Sequence, residues 1–358
     1  MAARVRLHIG ASKTGSTYLQ GLLHGNRDAL ARQETLVPGR KLDHYRFMLG
    51  VLDRLDDPGR PRAARATYDR MVQRVHDWPS TAMISSELMA AATETQIRRT
   101  VEALAPAEVH VVYTARDLAR TLPAEWQQAV KGGATMTMSE YVSAVMKDMA
   151  GPPGAVQPNV VGETDVVEKF RVLHAMDEVL DRWAAVVGED RVHVVTVPHP
   201  GADHDLLWQR FCSATDIRGY AYMFRGVRAN ASLGNAEAEV LRRVNVVLGQ
   251  RADSLPGLQE WVRHNLALRT LAGSPRSEQL GLHPHENAWA EQRAHKLVGA
   301  VSTRGYNVVG DLDDLVPTGD GPTAHPDETD EASISSVAVD VVAELALRLR
   351  TESMAGGS

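Results

Sequence analysis

A short run near the start of the chain combines the residue types that bind an anion such as phosphate. The run reads Ser12, Lys13, Thr14, Gly15, Ser16 and Thr17. The lysine ammonium supplies positive charge, the hydroxyl groups donate hydrogen bonds, and the missing side chain at Gly15 lets an anion approach the backbone. Backbone N–H groups in such a turn can bind the same anion. The spacing therefore predicts an anion-binding loop.

The elements on either side of this loop are those that would position it. Alternating apolar residues at Val5, Leu7 and Ile9 predict a β-strand before the loop. After the loop, apolar residues recur at the spacing of one helix face, at Tyr18, Leu19, Leu22, Leu23 and Leu30. A glycine-containing loop between a strand and a helix directs the first N–H groups of the helix towards an anion.

The loop differs from the nucleotide-binding loop of ATPases and GTPases, G-x-x-x-x-G-K-S/T. Gly10 and Gly15 have the required separation, but Ser16 stands where that pattern has lysine, and Lys13 precedes the second glycine. The register therefore disfavours an ATPase or GTPase. Two functions stay open for such a loop. One is that of a P-loop kinase or other phosphoryl transferase, which needs Mg²⁺ and ATP. The other is that of a non-catalytic protein of related fold that binds a nucleotide or a partner.

A second candidate phosphate-binding residue follows the clearest strand of the chain. The β-branched run at 108–114 ends just before Arg116 and Asp117. A guanidinium group makes two parallel hydrogen bonds to a phosphate, which makes Arg116 a candidate ligand for a nucleotide. Asp117 is expected to cap the helix that follows.

Together the two motifs resemble those of the sulfotransferases that use PAPS (3′-phosphoadenosine 5′-phosphosulfate). Lys13 to Thr17 is similar to their 5′-phosphosulfate loop, Pro-Lys-Ser/Thr-Gly-Ser/Thr-Thr/Ser, with Ser12 in place of the proline. The strand that leads to Arg116 is similar to the family motif whose arginine binds the 3′-phosphate. Ala124 stands where the family has a serine, and Thr121, one turn earlier, is the candidate replacement.

The resemblance implies a reaction and a donor site. The loop residues would bind the 5′-phosphosulfate, and Arg116 and Thr121 would bind the 3′-phosphate. An acceptor hydroxyl, or less readily an amine, would attack sulfur in line, and adenosine 3′,5′-bisphosphate would leave without the help of a metal ion. Lys13 would neutralise the charge that develops on the leaving nucleotide. Its alternative role is that of a solvated lysine in a loop.

Glu87 is the general base that the resemblance implies. It follows the apolar run at 81–86 and precedes the strand of Arg116, as the catalytic His or Glu of the family does. The alternative is a carboxylate at a helix start, where the helix dipole favours it. His8 is a rival base, and its alternative role is that of an inward-facing strand residue.

Two further pairs of residues are assigned by the same resemblance. Gln127 and Gln128, which follow Trp126, resemble bacterial members of the family and are expected to face the acceptor. Arg225 and Arg228 lie in a basic, glycine-bearing segment that would close over the 3′-phosphate. The alternative is a pair of surface arginines.

Composition limits the partners and the compartment. A net charge of −6 on 358 residues disfavours a dedicated nucleic-acid binder. The lone Cys212 fits a reducing cytoplasm. No apolar run approaches the roughly 20 residues that span a bilayer, so a cytoplasmic protein without a transmembrane segment is expected.

The histidine spacings match no standard zinc pattern, so no metal site is expected. A small molecule, lipid or glycan is the expected acceptor.

The alternation of strands and helices predicts an α/β fold with a doubly wound, mostly parallel central sheet, a P-loop-like phosphate site and many flanking helices. The predicted domain covers residues 1–316, with a helical lid or insertion at about 132–169. An acidic linker at 317–332 and an amphipathic helix at 333–352 are expected to follow. This helix is suited either to docking on the domain or to pairing with a second copy in a homodimer.

Overall fold

In the computed structural model of the protein, the alternating apolar segments form one parallel sheet. Its six strands among the described residues are β1 Arg4–Gly10, β2 Thr35–Leu36, β3 Thr81–Ser85, β4 Glu108–Ala115, β5 Val192–Thr196 and β6 Asn307–Val309. The structure describes residues 2–57, 63–152, 165–218, 232–249, 257–272, 277–319 and 321–355.

The strands lie in the order β2-β3-β1-β4-β5-β6, and every pairing between them is parallel. From β1 the chain runs to the edge strand β2, returns to β3 beside β1, and then crosses to β4 on the other side of β1. The order therefore reverses between β1 and β4, which is where ligands bind in open α/β sheets. The predicted doubly wound sheet is confirmed, and its described strands are all parallel.

Helices flank the strands along the sequence. Their bounds are α1 Ser16–Gly25, α2 Arg27–Arg32, α3 Lys41–Val51, α4 Ala63–Asp77, α5 Glu94–Leu104, α6 Leu118–Lys131, α7 Met138–Ala150, α8 Val166–His174, α9 Met176–Val187, α10 Leu206–Thr215, α11 Asn235–Gly249, α12 Leu258–Trp261, α13 Pro284–Ser302 and α14 Glu331–Ala355. A π-helical segment, Val262–Leu271, continues α12.

The chain divides into two compact units. The first consists of Met1–Leu118, Lys147–Ala229 and Ala290–Pro317, and the second of Ala119–Met146, Asn230–Trp289 and Thr318–Ser358. The whole sheet belongs to the first unit.

Successive side chains of the strands pack on opposite faces of the sheet, as the two-residue period of a strand requires. On β4, Val111 and Tyr113 belong to one buried cluster, which also takes apolar residues from α3, α4, α5 and α9. Val112 belongs to a second cluster with residues from α1, α2 and α10, including Leu19 and Phe211. Buried helices therefore cover both faces and hold the strand ends in place.

The second unit is helical in its described residues. Helix α11 packs against α14, and Arg243 of α11 forms an ion pair with Glu331 at the start of α14. Asp327, in the segment predicted as a linker, accepts hydrogen bonds from the backbone N–H groups of Met138 and Ser139 at the start of α7. The C-terminal helix expected over 333–352 spans Glu331–Ala355.

Most predicted helices and strands are present with shifted ends. The pattern Thr-x-x-Gln from Thr93 to Gln96 predicts a capping box. It is confirmed, because Thr93 Oγ1 accepts from the N–H of Gln96 at 3.3 Å and Gln96 Oε1 accepts from the N–H of Thr93 at 2.9 Å. The sequence also predicts one helix over 170–187, which is wrong in one respect, since the chain breaks at Ala175 between α8 and α9.

Candidate functional site

The predicted anion-binding loop lies between β1 and α1, and two of its residues have left-handed backbone angles. Gly15, at the N-cap of α1, has φ 85°, and Lys13 has φ 60°. A side chain at Gly15 would also approach Leu207, because its Cβ would lie 2.6 Å from Leu207 Cδ2. The φ of 60° at Lys13 is uncommon for a residue with a side chain and costs free energy. Such strain is concentrated at ligand sites.

The loop presents the start of α1, where Ser16 and Thr17 form the first turn. Glycine at the N-cap has no side chain to satisfy the first N–H groups, so these groups are suited to binding an anion. Ser16 is buried and Thr17 is half-buried. The half-buried Lys13 adds its positive charge to the same loop.

Thr114, near the end of β4, contacts the loop at its start and in its middle. Its carbonyl accepts a 2.8 Å hydrogen bond from the N–H of Ala11. Its hydroxyl oxygen lies 2.8 Å from the carbonyl oxygen of Gly10 and 2.5 Å from Thr14 Oγ1. The Thr14 hydroxyl in turn lies 2.6 Å from the carbonyl of Ala11. One residue of β4 therefore fixes the loop where it begins and in its middle.

Arg116 connects the second predicted motif to the first. Its Nη1 donates a 2.8 Å hydrogen bond to the carbonyl oxygen of Lys13. The two residues lie at the ends of neighbouring strands, so the parallel sheet brings together positions that are far apart in sequence. The structure thus places a guanidinium group against the loop that carries the lysine.

Glu87 lies beside this loop at the end of β3. It begins a short 3₁₀ helix, Glu87–Ala91, and its carboxylate accepts a 2.7 Å hydrogen bond from Gln20 Nε2 on α1. Its backbone carbonyl packs against the start of the loop, since a Cβ on Gly10 would lie 3.1 Å from it. The backbone of the half-buried Glu87 therefore lies at the start of the loop, and its carboxylate is bonded to α1.

His8 is completely buried, as expected for an inward-facing strand residue. Its Nδ1 lies 2.7 Å from Ser85 Oγ, and its Nε2 lies 3.3 Å from Thr114 Oγ1. Burial lowers the pKa of His8 to about 4, although the nearby backbone of Gly10 opposes the shift. The imidazole is therefore neutral at pH 7 and enclosed by protein, a position that does not suit the rival general base.

Two contacts near the loop could not be found from sequence reasoning. Ser12 Oγ lies 3.1 Å from Nε2 of His174, the last residue of α8. Tyr113 on β4 donates a 2.9 Å hydrogen bond to the carbonyl of Leu173. The end of α8 is therefore fixed to both the loop and β4. No sequence motif marks His174, because its contact with Ser12 depends only on where α8 ends.

Other predicted site residues lie elsewhere or outside the described residues. Asp117 is buried directly before α6. Thr121, Gln127 and Gln128 belong to the second unit, and Thr121 is 1 % exposed. There, Gln127 Nε2 donates to the carbonyl of Leu233 at 3.0 Å, and its Oε1 accepts from Lys131 Nζ at 2.9 Å. Arg225 and Arg228 lie outside the described residues.

The described part of the chain contains neither a metal-binding cluster nor a membrane-spanning helix. Within those residues, no three His, Cys, Asp or Glu side chains are grouped so that they could hold a metal ion. Across the same residues, every helix is too short or too polar to span a membrane.

Comparison with solved structures finds similarity to a sulfotransferase from Alicyclobacillus acidocaldarius. The similarity has a TM-score of 0.39 at 13% sequence identity and covers 73% of this chain and 100% of that chain. No protein-family model matches the sequence, and no curated protein matches it. The function is therefore inferred from the geometry of the loop and of the residues around it.

Proposed function

We propose that this protein is a sulfotransferase that moves a sulfuryl group from PAPS to a hydroxyl group of a small-molecule, lipid or glycan acceptor. The observation that carries the proposal is the 2.8 Å hydrogen bond from Arg116 to the carbonyl of Lys13. It brings two cationic side chains to one glycine-containing loop at the start of a helix. A donor with separate 5′- and 3′-phosphate groups needs two such cationic centres.

The loop is the proposed 5′-phosphosulfate site. In this proposal the N–H groups at the start of α1 bind the phosphate oxygens, and the hydroxyl groups of Ser16 and Thr17 add donors. Gly15 keeps the backbone accessible at the N-cap. Arg116 is the proposed ligand of the 3′-phosphate, because its planar fork of N–H groups can make two bonds to that group at once. Thr121, Arg225 and Arg228 remain proposed contributors.

The transfer step needs charge neutralisation on the leaving group. The acceptor oxygen forms a new bond to sulfur while the bond from sulfur to the bridging oxygen of the 5′-phosphate breaks. The electron pair of that bond stays on the phosphate, which leaves as adenosine 3′,5′-bisphosphate. Lys13 stabilises this developing negative charge, which is the interaction that strengthens most in the transition state.

The acceptor proton goes to Glu87 in this proposal. Its backbone lies at the start of the loop, and its carboxylate is oriented by Gln20, whose Nε2 donates to it at 2.7 Å. A carboxylate with a fixed orientation accepts a proton as the new S–O bond forms, which removes positive charge from the acceptor oxygen. Gln128 is the remaining candidate for acceptor contact, since the amide of Gln127 bonds to Leu233 and Lys131.

Thermal unfolding with a panel of ligands tests the proposal. A ligand that binds the folded protein alone raises the melting temperature. We expect PAPS and adenosine 3′,5′-bisphosphate to stabilise the protein in metal-free buffer, and adenosine 5′-monophosphate to do so far less. Stabilisation by ATP with Mg²⁺ but not by the bisphosphate would contradict the proposal and favour a phosphoryl transferase.

Incubation with sulfur-labelled PAPS and acceptor panels then tests catalysis. The panels contain phenols, sterols, lipid alcohols and oligosaccharides, and label in a product identifies the acceptor class. A protein that binds the bisphosphate but labels no member of any panel would support the non-catalytic relative instead.

A further inference from the structure

Two buried side chains behind the loop, His8 and Thr114, connect it to the interior of the first unit. Both are 0 % exposed, so neither contacts a ligand in this conformation. Resting on the proposed function, we propose that His8 and Thr114 are positioning residues that hold the loop in the shape that binds the 5′-phosphosulfate. Their effect on the donor is transmitted through Gly10, Ala11 and Thr14.

The hydrogen atoms around Thr114 can be counted. Thr114 Oγ1 contacts the Gly10 carbonyl at 2.8 Å and Thr14 Oγ1 at 2.5 Å. Thr14 Oγ1 also contacts the carbonyl of Ala11 at 2.6 Å. Two hydroxyl hydrogen atoms serve these three contacts, and they suffice for the two carbonyl acceptors. The oxygen of Thr114 can still accept a hydrogen bond from a further donor.

His8 is the available donor to this oxygen. Its Nε2 lies 3.3 Å from Thr114 Oγ1. With Nε2–H donating to Thr114 Oγ1, the hydroxyl hydrogen of Thr114 can be donated to the loop. Thr14 then donates to the carbonyl of Ala11. The chain closes with one donor for each acceptor, and every member is satisfied.

Ser85 contacts the other nitrogen of His8. Neutral imidazole has one donor nitrogen and one acceptor nitrogen. Ser85 Oγ lies 2.7 Å from Nδ1, so its hydroxyl can donate there while Nε2–H donates to Thr114. The parallel register pairs His8 on β1 with Ser85 on β3, so the pairing of these two strands determines this contact. The loop is thus tied to β3 and β4 at once.

Loss of one member would leave buried polar atoms without partners. Such atoms cost far more than a surface hydrogen bond, because water cannot replace the lost partner. The backbone at Gly10, Ala11 and Thr14 is expected to move until these atoms find other partners. The N–H groups at the start of α1 would then no longer point to a common centre, and the 5′-phosphate would bind less tightly.

Two matched pairs of variants separate the hydrogen bonds from the packing. Thr114→Val keeps the shape of the side chain and removes its hydroxyl, whereas Thr114→Ser keeps the hydroxyl. His8→Gln keeps a polar group near the position of Nε2, and His8→Asn keeps one only near the position of Nδ1. The pairs act at different residues, so a variant that fails to fold leaves the other pair as a test.

Calorimetric titration with three nucleotides gives the readout. The affinity ratio of adenosine 3′,5′-bisphosphate to adenosine 3′-monophosphate reports the 5′-phosphate. The ratio of the bisphosphate to adenosine 5′-monophosphate reports the 3′-phosphate. We expect Thr114→Val and His8→Asn to reduce the first ratio about tenfold and to change the second by less than about twofold. Thr114→Ser and His8→Gln are expected to keep the first ratio near that of the wild type.

Different titration results would overturn the positioning role and the proposed function. Folded Thr114→Val and His8→Asn proteins with a wild-type first ratio would overturn the positioning role. An equal fall in both ratios would also overturn it, because that result describes a general loss of structure. Failure of the proposed function would be seen in the wild type, as a second ratio close to one.

Discussion

Arg116 Nη1 donates a 2.8 Å hydrogen bond to the carbonyl oxygen of Lys13, across two neighbouring parallel strands. Lys13 has a left-handed φ of 60°, which a lysine adopts only when its surroundings hold it there. The guanidinium group holds the peptide group between Lys13 and Thr14, because it bonds to the carbonyl of that group. The shape of the loop and the place of the arginine therefore depend on each other.

Replacing Lys13 by glycine or by alanine should separate stability from transfer. Both variants lose the ammonium group, so we expect each to lose about 100-fold or more of the sulfuryl transfer rate. Glycine adopts φ 60° without steric cost, so Lys13→Gly should be more stable than Lys13→Ala by about 1 kcal/mol. Urea unfolding and a transfer assay measure the two effects. Equal unfolding free energies would contradict a strained backbone at this residue.

Gly15, the N-cap of α1, and Gly25, its last residue, form a matched pair for substitution by alanine. Gly15 has φ 85°, and a Cβ there would lie 2.6 Å from Leu207 Cδ2, whereas nothing lies within 4 Å of a Cβ on Gly25. Gly15→Ala should lower the free energy of unfolding by about 1–2 kcal/mol and weaken binding of the bisphosphate. Gly25→Ala should leave binding unchanged and raise stability by up to about 1 kcal/mol. The idea fails if both variants bind the bisphosphate as the wild type does.

Glu87→Gln should remove the general base and leave the donor site intact. The new amide oxygen can still accept the hydrogen bond that Gln20 now donates at 2.7 Å. We expect transfer to fall about 100-fold or more, because the amide cannot take the acceptor proton. Affinity for the bisphosphate should change by less than about twofold. Glu94→Gln, an exposed carboxylate on α5, is the control and should transfer normally. A wild-type rate for Glu87→Gln would exclude this base.

The buried His8 and the half-buried His24 and His193 should make the protein less stable in mild acid. Burial lowers the pKa values of His8, His24 and His193 to about 4 from 6.5. Between these values the unfolded chain binds protons that the folded chain does not, so stability is complete above pH 6.5 and is lost as the pH falls towards 4. For the fully buried His8 this shift corresponds to roughly 3 kcal/mol, and solvent screening makes the contribution of the other two histidines smaller.

Urea unfolding at pH 7.5, 6.0 and 5.0 measures this dependence. His8→Gln removes one of the three groups, so its free energy of unfolding should depend less on pH than that of the wild type. Identical pH dependence in the two proteins would mean that His8 titrates normally in the folded state.

Sequence patterns predicted those parts of the fold that depend on local periodicity. The β-branched run of β4 and the capping box at Thr93 and Gln96 each determine an element on their own. The short strands β2 and β6 were not predicted, since Thr35–Leu36 and Asn307–Val309 are too short for alternation to be detected. Their conformation comes from the neighbouring strands.

The candidate site was predictable only in part, for a similar reason. Lys13, Gly15 and Arg116 were found because each stands at a recognisable point of a strand or loop. The role of Thr114 was missed, because a threonine in a β-branched run is typical of any strand. Its hydrogen bonds to Gly10 and Thr14 depend on the register between β1 and β4, which no local pattern encodes.

Calorimetric titration of the wild type and of Arg116→Ala in metal-free buffer tests the proposed sulfotransferase site most directly. The affinities for adenosine 3′,5′-bisphosphate and adenosine 5′-monophosphate are compared in each protein. Arg98→Ala, which removes an exposed arginine of α5, is the control. We expect the wild type and the control to prefer the bisphosphate about tenfold or more, and Arg116→Ala to show no preference. A wild type without this preference, or an Arg116→Ala protein that retains it, would contradict the assignment of Arg116 to the 3′-phosphate and with it the proposed use of PAPS.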